Sequence, residues 1–230
     1  LDLSKTKLGG TEEVKNLIAE MPFLKKLIVC DCGLSDEQMV TLAEEYPQIR
    51  FVWVIRLGPH KLRTDAVGFS TKNPSKHTSP KASAEYNKKV KTTKRLYEGD
   101  IALLKYCYDL EALDLGHNIM TDISCLAGLK NIDILIISSN RLSDISIIRN
   151  FPKIHFLDIR NQPDIDDLSP IASLPELEQI ELQHLKKVEN MSAFTHCPKL
   201  KILFALDVEF TDCTLDDLKA ACPECLFDME

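Results

Sequence analysis

Long hydrophobic runs are missing from this 230-residue chain. Runs such as Ile134 to Ile137 and Phe51 to Ile55 fall far short of the roughly 20 apolar residues that a membrane-spanning helix needs. Glycine is scarce at 8 residues, and no glycine-rich phosphate loop, dinucleotide fingerprint, Gly-x-Ser-x-Gly elbow or His-Glu-x-x-His pair is present. The chemistry those motifs support is therefore not expected. Aromatic residues make up only 7% of the chain, and none of them sits in a base-stacking motif, so nucleic acid is not an expected partner. Cysteines number 8, but only Cys222 and Cys225 form a Cys-x-x-Cys pair. A structural zinc takes four ligands, so neither a metal nor an organic cofactor is expected. No basic leader with an apolar segment opens the chain, and Leu1 in place of Met reads as a trimmed fragment. The remaining composition is that of an ordinary globular chain, 44% hydrophobic and 27% charged, with 28 Lys and Arg against 35 Asp and Glu for a net charge of -7. Its length is enough to bury a sizeable core.

A repeat fills the second half. Leu110-x-x-Leu113-x-Leu115-x-x-Asn118 is followed by Ile132-x-x-Leu135-x-Ile137-x-x-Asn140 and by Ile154-x-x-Leu157-x-Ile159-x-x-Gln162. Two further copies read Leu177-x-x-Ile180-x-Leu182 and Leu200-x-x-Leu203-x-Ala205, so the first positions advance by 22, 22, 23 and 23 residues. A second marker keeps the same phase, as Asp122-Ile123-Ser124, Asp144-Ile145-Ser146, Asp167-Leu168-Ser169 and Asn190-Met191-Ser192. The Leu-x-Leu centre predicts a short strand with inward side chains. The Asn position predicts a side chain that bonds the turn leaving the strand. One such unit cannot bury its own apolar face, so neighbours stack. At Gln162 and Leu185 the Asn is missing and the repeat carries one extra residue, which predicts a looser turn there.

This pattern resembles the leucine-rich repeat, and its Asn-x-x-x-Asp-Ile-Ser form is similar to the bacterial internalin-type repeat. The tract Trp53-Val54-Ile55-Arg56-Leu57-Gly58, with Arg63-Thr64-Asp65-Ala66, Phe69-Ser70-Thr71 and Leu113 to Asn118, resembles uncharacterised leucine-rich repeat proteins of gut Firmicutes, which are often exported. The fold expected is α/β: a right-handed leucine-rich repeat solenoid, with a parallel sheet on its concave face, mixed short helices and turns on its convex face, and a hairpin-plus-loop insertion. The resemblance implies a bacterial binding scaffold with no catalysis of its own, at the cell surface or secreted. The cytoplasm stays open as the alternative location.

A longer form of the unit occupies the ends. Leu34-Ser35-Asp36, Met39, Leu42, Pro47 and Phe51-x-Trp53 match Phe210-Thr211-Asp212, Leu215, Leu218, Pro223 and Phe227-x-Met229 at a constant offset of 176. Both segments read as a helix capped by Asp36 or Asp212 and followed by a strand. Leu1-x-Leu3, Leu8, Val14, Leu17 and Met21-Pro22 read as a first unit entered within its strand. Between the blocks, Phe51 to Leu57, the Gly58-Pro59-His60 turn and Lys61 to Phe69 read as a hairpin. A basic stretch follows, with Lys72, Lys76, Lys81, Lys88, Lys89, Lys91, Lys94 and Arg95 against one acid, Glu85. That is a local charge of +7, leaving -14 for the rest, and the stretch is too poor in apolar surface to build a core. The organisation expected is 1–54 for the N-terminal units, 55–98 for the insertion and 99–230 for the C-terminal block.

The cysteines are expected as buried free thiols, and the recurrence of Asp122, Asp144 and Asp167 once per repeat marks them as structural. His117 and His184 stand in equivalent columns three repeats apart, about 14 Å at strand spacing, too far to share a metal. The binding surface expected is the concave face, whose central column reads Ile28, Val52, Asp114, Ile136, Asp158, Glu181 and Phe204. Phe156, Asp158, Arg160, Gln179, Glu181, Gln183 and Phe204 are the candidate contacts for a protein partner, because apolar groups beside paired charges make an interface core with a polar rim. A homodimer through the apolar residues of this face is the competing occupant. The alternative function places binding in the basic stretch Lys72 to Arg95, as capture of an anionic polymer or membrane surface.

Overall fold

The computed structural model describes residues 1–71 and 95–228 and divides into two compact units, Leu1–Ala66 and Val67–Glu230. In the first unit β1 (Lys26–Ile28) and β2 (Arg50–Val52) pair in parallel, Lys26 opposite Arg50 and Ile28 opposite Val52. Asp2 forms a parallel bridge to Ile28. α1 (Thr11–Glu20) and α2 (Asp36–Glu45) make the connections. The N-cap of α2 is Ser35, whose hydroxyl accepts from Gln38 N while the Gln38 side chain accepts from Ser35 N, a reciprocal arrangement that satisfies two orphan donors. Asp36 is therefore not the cap. Its carboxylate accepts from Trp53 Nε1 at 3.0 Å and ties the helix start to the next strand.

β3 (Val54–Leu57) and β4 (His60–Arg63) form an antiparallel hairpin about Gly58, whose φ of 57° is a left-handed geometry that glycine tolerates at no steric cost. The hairpin is shorter than the sequence suggests. Thr64 turns inward, with its hydroxyl accepting from Trp53 N and donating to Phe51 O, and this ends the ladder. β5 (Gly68–Ser70), read from sequence as the end of the hairpin, instead pairs in parallel with the first strand of the repeat block.

The second unit carries β6 (Ala112–Asp114), β7 (Ile134–Ile136), β8 (Phe156–Asp158), β9 (Gln179–Glu181), β10 (Lys186–Val188), β11 (Ile202–Phe204), β12 (Val208–Phe210) and β13 (Leu226–Asp228). Seven strands make one sheet in the order β5-β6-β7-β8-β9-β11-β13, and β10 pairs with β12 separately. Every pair in the seven-stranded sheet is parallel and one-to-one in register, so Leu113, Leu135, Leu157, Ile180 and Leu203 form one inward column, fully buried to within 1%. Across the core run 3-10 turns, Ser124–Leu126, Ser146–Asn150, Ser169–Ser173 and Met191–His196, with Phe151 and Phe194 buried among them. The recurring acids begin the first three of these turns. Asp122 accepts from Ser124 N and Ser124 Oγ, and Asp144 and Asp167 repeat the arrangement on Ser146 and Ser169.

The Asn column is a ladder between repeats. Asn118 Oδ1 accepts from Leu96 N, Asn140 Oδ1 from Met120 N, and Gln162 Oε1 from Leu142 N. On the donor side, Asn118 and Asn140 both reach Leu115 O, while Asn140 and Gln162 both reach Ile137 O. Gln162, fully buried, keeps the two bonds to the preceding repeat but not the bonds that Asn118 and Asn140 make to the carbonyls of their own turns. At Leu185 the column becomes apolar and stays buried. The residue before each rung, His117, Ser139, Asn161, His184 and Asp207, is left-handed, with φ between 55° and 64°. The two histidines therefore mark a backbone bend. The terminal helix, Leu215–Ala221, is capped by Thr214 with Asp217, while Asp212, expected as its cap, accepts from Met191 N. Cys30, Cys32, Cys107 and Cys197 are buried, and Cys125, Cys213, Cys222 and Cys225 are half-buried.

Candidate functional site

Side chains alternate across a strand, so the residues flanking each inward Leu or Ile stand on the open side of the sheet. In the second unit they form two columns. The first runs Ala112, Ile134, Phe156, Gln179, Ile202, Leu226, and the second runs Asp114, Ile136, Asp158, Glu181, Phe204, Asp228. All seven residues expected to contact a partner are brought together here, on β8, β9 and β11 and the turns that leave β8 and β9. Phe156 is opposite Gln179, Asp158 opposite Glu181, and Glu181 opposite Phe204. Val52, expected to join the same face, is buried in the first unit.

Asp158 is the anchor of the polar part. Only 2% exposed, it accepts from Ser138 Oγ at 2.9 Å, from Arg160 N at 3.1 Å, and from Arg160 Nε and Nη2 at 2.9 and 2.8 Å. Arg160 Nε also lies 2.9 Å from Glu181 Oε2. One guanidinium thus spans two strands and serves two carboxylates, a fork geometry that lysine cannot reproduce. The bond to Asp158 holds Arg160 more firmly protonated. Burial pushes the Glu181 carboxyl above its usual range, with Arg160 pulling the other way and Asp158 reinforcing the rise. Gln179 Nε2 donates to Glu181 Oε1 at 3.3 Å, whereas Gln183 Oε1 is buried with no partner.

Beside this network is a hollow of about 370 Å³ lined by Ile134, Phe156, Gln179 and Ile202, with His155, Glu178 and Lys201 at its rim. Glu178 and Lys201 are paired across the rim at 2.7 Å. Ser138, in the column flanking Asp158, bonds it. Contributors not visible from sequence are Ser70 on β5, which donates to Asp114 at 2.9 Å, and, on β13, Leu226, 62% exposed, and Asp228. Of the basic stretch, Lys72, Lys76, Lys81, Lys88, Lys89, Lys91 and Lys94 lie outside the described residues, and Arg95 is exposed. Among the described residues no group of three or more His, Cys, Asp or Glu is placed to hold a metal, and no helix is long and apolar enough to cross a membrane.

The parallel register, one rung per repeat and the stacked 3-10 turns settle the architecture. The chain has the leucine-rich repeat fold. No family model matches the repeat protein, and no curated protein matches it. Among solved structures, an internalin C2 of Listeria monocytogenes aligns over 98% of this chain and 76% of its own length, at 21% identity and a TM-score of 0.50. A leucine-rich repeat protein of Leptospira interrogans aligns over 99% of this chain and 59% of its own, at 16% identity and a TM-score of 0.51. A further internalin (inlF) of Listeria monocytogenes is 27% identical over 52% of this chain, with a TM-score of 0.48. The repeat protein spans about a third of that internalin's length, 35%. The whole-chain matches share its fold.

Proposed function

We propose that the repeat protein is a non-enzymatic scaffold that binds a protein partner on the open, concave side of its seven-stranded sheet. The observation that carries this is the placement of half-buried apolar residues, Phe156, Ile202 and Phe204, beside the Asp158–Arg160–Glu181 network on the same open side of the sheet. Apolar side chains left half-wet are stabilised by a partner that covers them, and charges already satisfied within the chain add specificity at little desolvation cost. The recurring acids are engaged in turns, which leaves them to structure and not to acid–base work. Similarity of fold to internalins agrees with a bacterial surface or secreted setting. A homodimer through the same apolar residues is the competing occupant.

The test is affinity capture at low and moderate salt, comparing the intact chain, Phe156→Ala with Phe204→Ala, and a chain lacking residues 70–93. Retention that survives moderate salt and is lost with the double substitution is the expected result. Retention that follows residues 70–93 and vanishes with salt would replace this reading with capture of an anionic surface by the basic stretch, because exposed charges are screened beyond about 8 Å near 0.15 M salt.

A further inference from the structure

Resting on the reading of this face as protein-binding, we propose that its occupant is a cationic amphipathic helix laid across the strands. Three features of the open face point to that chemistry. The first is spacing. Strands lie about 4.8 Å apart and a helix advances 5.4 Å per turn. A helix crossing the sheet therefore offers about one apolar side chain per strand, and the five strands from Ile134 to Leu226 call for roughly 13 residues of helix. The apolar column Ile134, Phe156, Ile202, Leu226 supplies that row of contacts.

The second feature is the break in the row. At β9 the apolar column carries Gln179, whose side chain is turned to Glu181, and the hollow of about 370 Å³ opens there between Phe156 and Ile202. A void of that size takes one large apolar side chain, the kind of central anchor that dominates interface energy. The third is charge. The neighbouring column carries Asp114, Asp158, Glu181 and Asp228 against the single guanidinium of Arg160, four carboxylates to one cation. This leaves three net negative charges alongside the apolar row. A partner with Lys or Arg flanking its apolar stripe is complementary, and one with Asp or Glu there is repelled.

The probe is a synthetic helical peptide of about 18 residues, with Leu along one face, a central Trp and Lys on the flanks. Its controls are the same composition scrambled, and the same helix with Glu for Lys. Binding to the full chain is read by fluorescence anisotropy, and peptide helicity by circular dichroism. Expected is saturable binding with a gain in helicity, at least about tenfold weaker for both control peptides. Phe156→Ala and Ile202→Ala should each weaken it about tenfold, and Asp114→Asn with Asp228→Asn should weaken it and flatten its salt dependence. Unchanged far-ultraviolet spectra and melting show that the variants are folded. Equal binding of the scrambled peptide would overturn the proposal, as would concentration-dependent self-association of the chain lost on the same substitutions, which assigns the face to a second copy. If no peptide binds while Phe156→Ala with Phe204→Ala still abolishes salt-resistant capture of a protein, the helical partner is overturned and the protein-binding face stands. If that capture is also unaffected, both are overturned.

Discussion

Sharing of carbonyls along the side-chain ladder predicts a specific pattern of coupling. Asn140→Ala removes the acceptor of Met120 N and donors to Leu115 O and Ile137 O. The two carbonyls keep a second amide donor each, from Asn118 and Gln162 respectively, so the one group orphaned is the buried Met120 N–H. An unsatisfied buried group costs about 1–3 kcal/mol, and with the lost bonds a single rung should cost roughly 2–3 kcal/mol. Asn118→Ala and Gln162→Ala likewise orphan Leu96 N and Leu142 N. Combining Asn118→Ala with Asn140→Ala strips both amide donors from Leu115 O, so the pair should cost about 1 kcal/mol more than the sum. Asn140→Ala with Gln162→Ala should do the same through Ile137 O. Asn118→Ala with Gln162→Ala share no carbonyl and should add to within about 0.5 kcal/mol. Urea unfolding of the three singles and three doubles, followed by circular dichroism, measures all three cycles. Additivity in every cycle, or equal coupling in the 118/162 cycle, would refute the shared-carbonyl ladder.

Phe194→Ala, at a fully buried position, should cost about 3–5 kcal/mol, while half-buried Phe204→Ala should cost about 1 kcal/mol; thermal unfolding compares them. Arg160→Ala leaves the Asp158 carboxylate buried without its cation and should cost about 3 kcal/mol, whereas Arg160→Lys, keeping charge without the fork, should recover only part of that in the same assay. Burial pushes the Cys197 thiol up to about 12 and Cys125 to about 11; since the thiolate is the nucleophile, both should resist alkylation at pH 8 in the native chain and react after denaturation, as read by mass spectrometry. Bonds from the Ser124 hydroxyl and backbone hold the Asp122 carboxyl below its usual range, so its contribution is present above the ordinary carboxylate pKa and lost as pH falls through the lowered value. The stability gap between the parent and Asp122→Ala should therefore narrow on acidification, and a gap that is constant from pH 7 to pH 3 would count against the assignment.

Legibility of this fold followed the physics of each signal. The Leu-x-Leu strands and the once-per-repeat Asp were readable because burial and a turn bond each demand a fixed residue type at a fixed phase. β5 was not, since Gly68-Phe69-Ser70 lacks a Leu-x-Leu centre and its place is set by a partner strand 44 residues on. At Gln162 an amide one methylene longer reaches the preceding repeat as Asn140 does but no longer closes its own turn, a division of roles that the residue type alone does not reveal. The caps were misplaced by one and two residues because Ser35 and Thr214 are identified by the side chain three positions later, Gln38 and Asp217, and not by the nearest acid.

For the site, column membership follows from register and was legible, but the link between columns was not. A long cation at a strand end ordinarily points outward. The direction of Arg160 is decided by Asp158, two residues back on the same strand edge, and by Ser138 and Glu181 on the strands to either side. The result is a guanidinium whose side chain is 39% exposed yet held by two carboxylates. Most long cations lose rotamer freedom when a partner arrives, at about 0.5–1.5 kcal/mol each; this one has lost it on folding. The face thus presents fixed polar geometry next to the half-wet Phe156 and Phe204, so under the proposed function partner discrimination would rest on shape and charge that exist before binding.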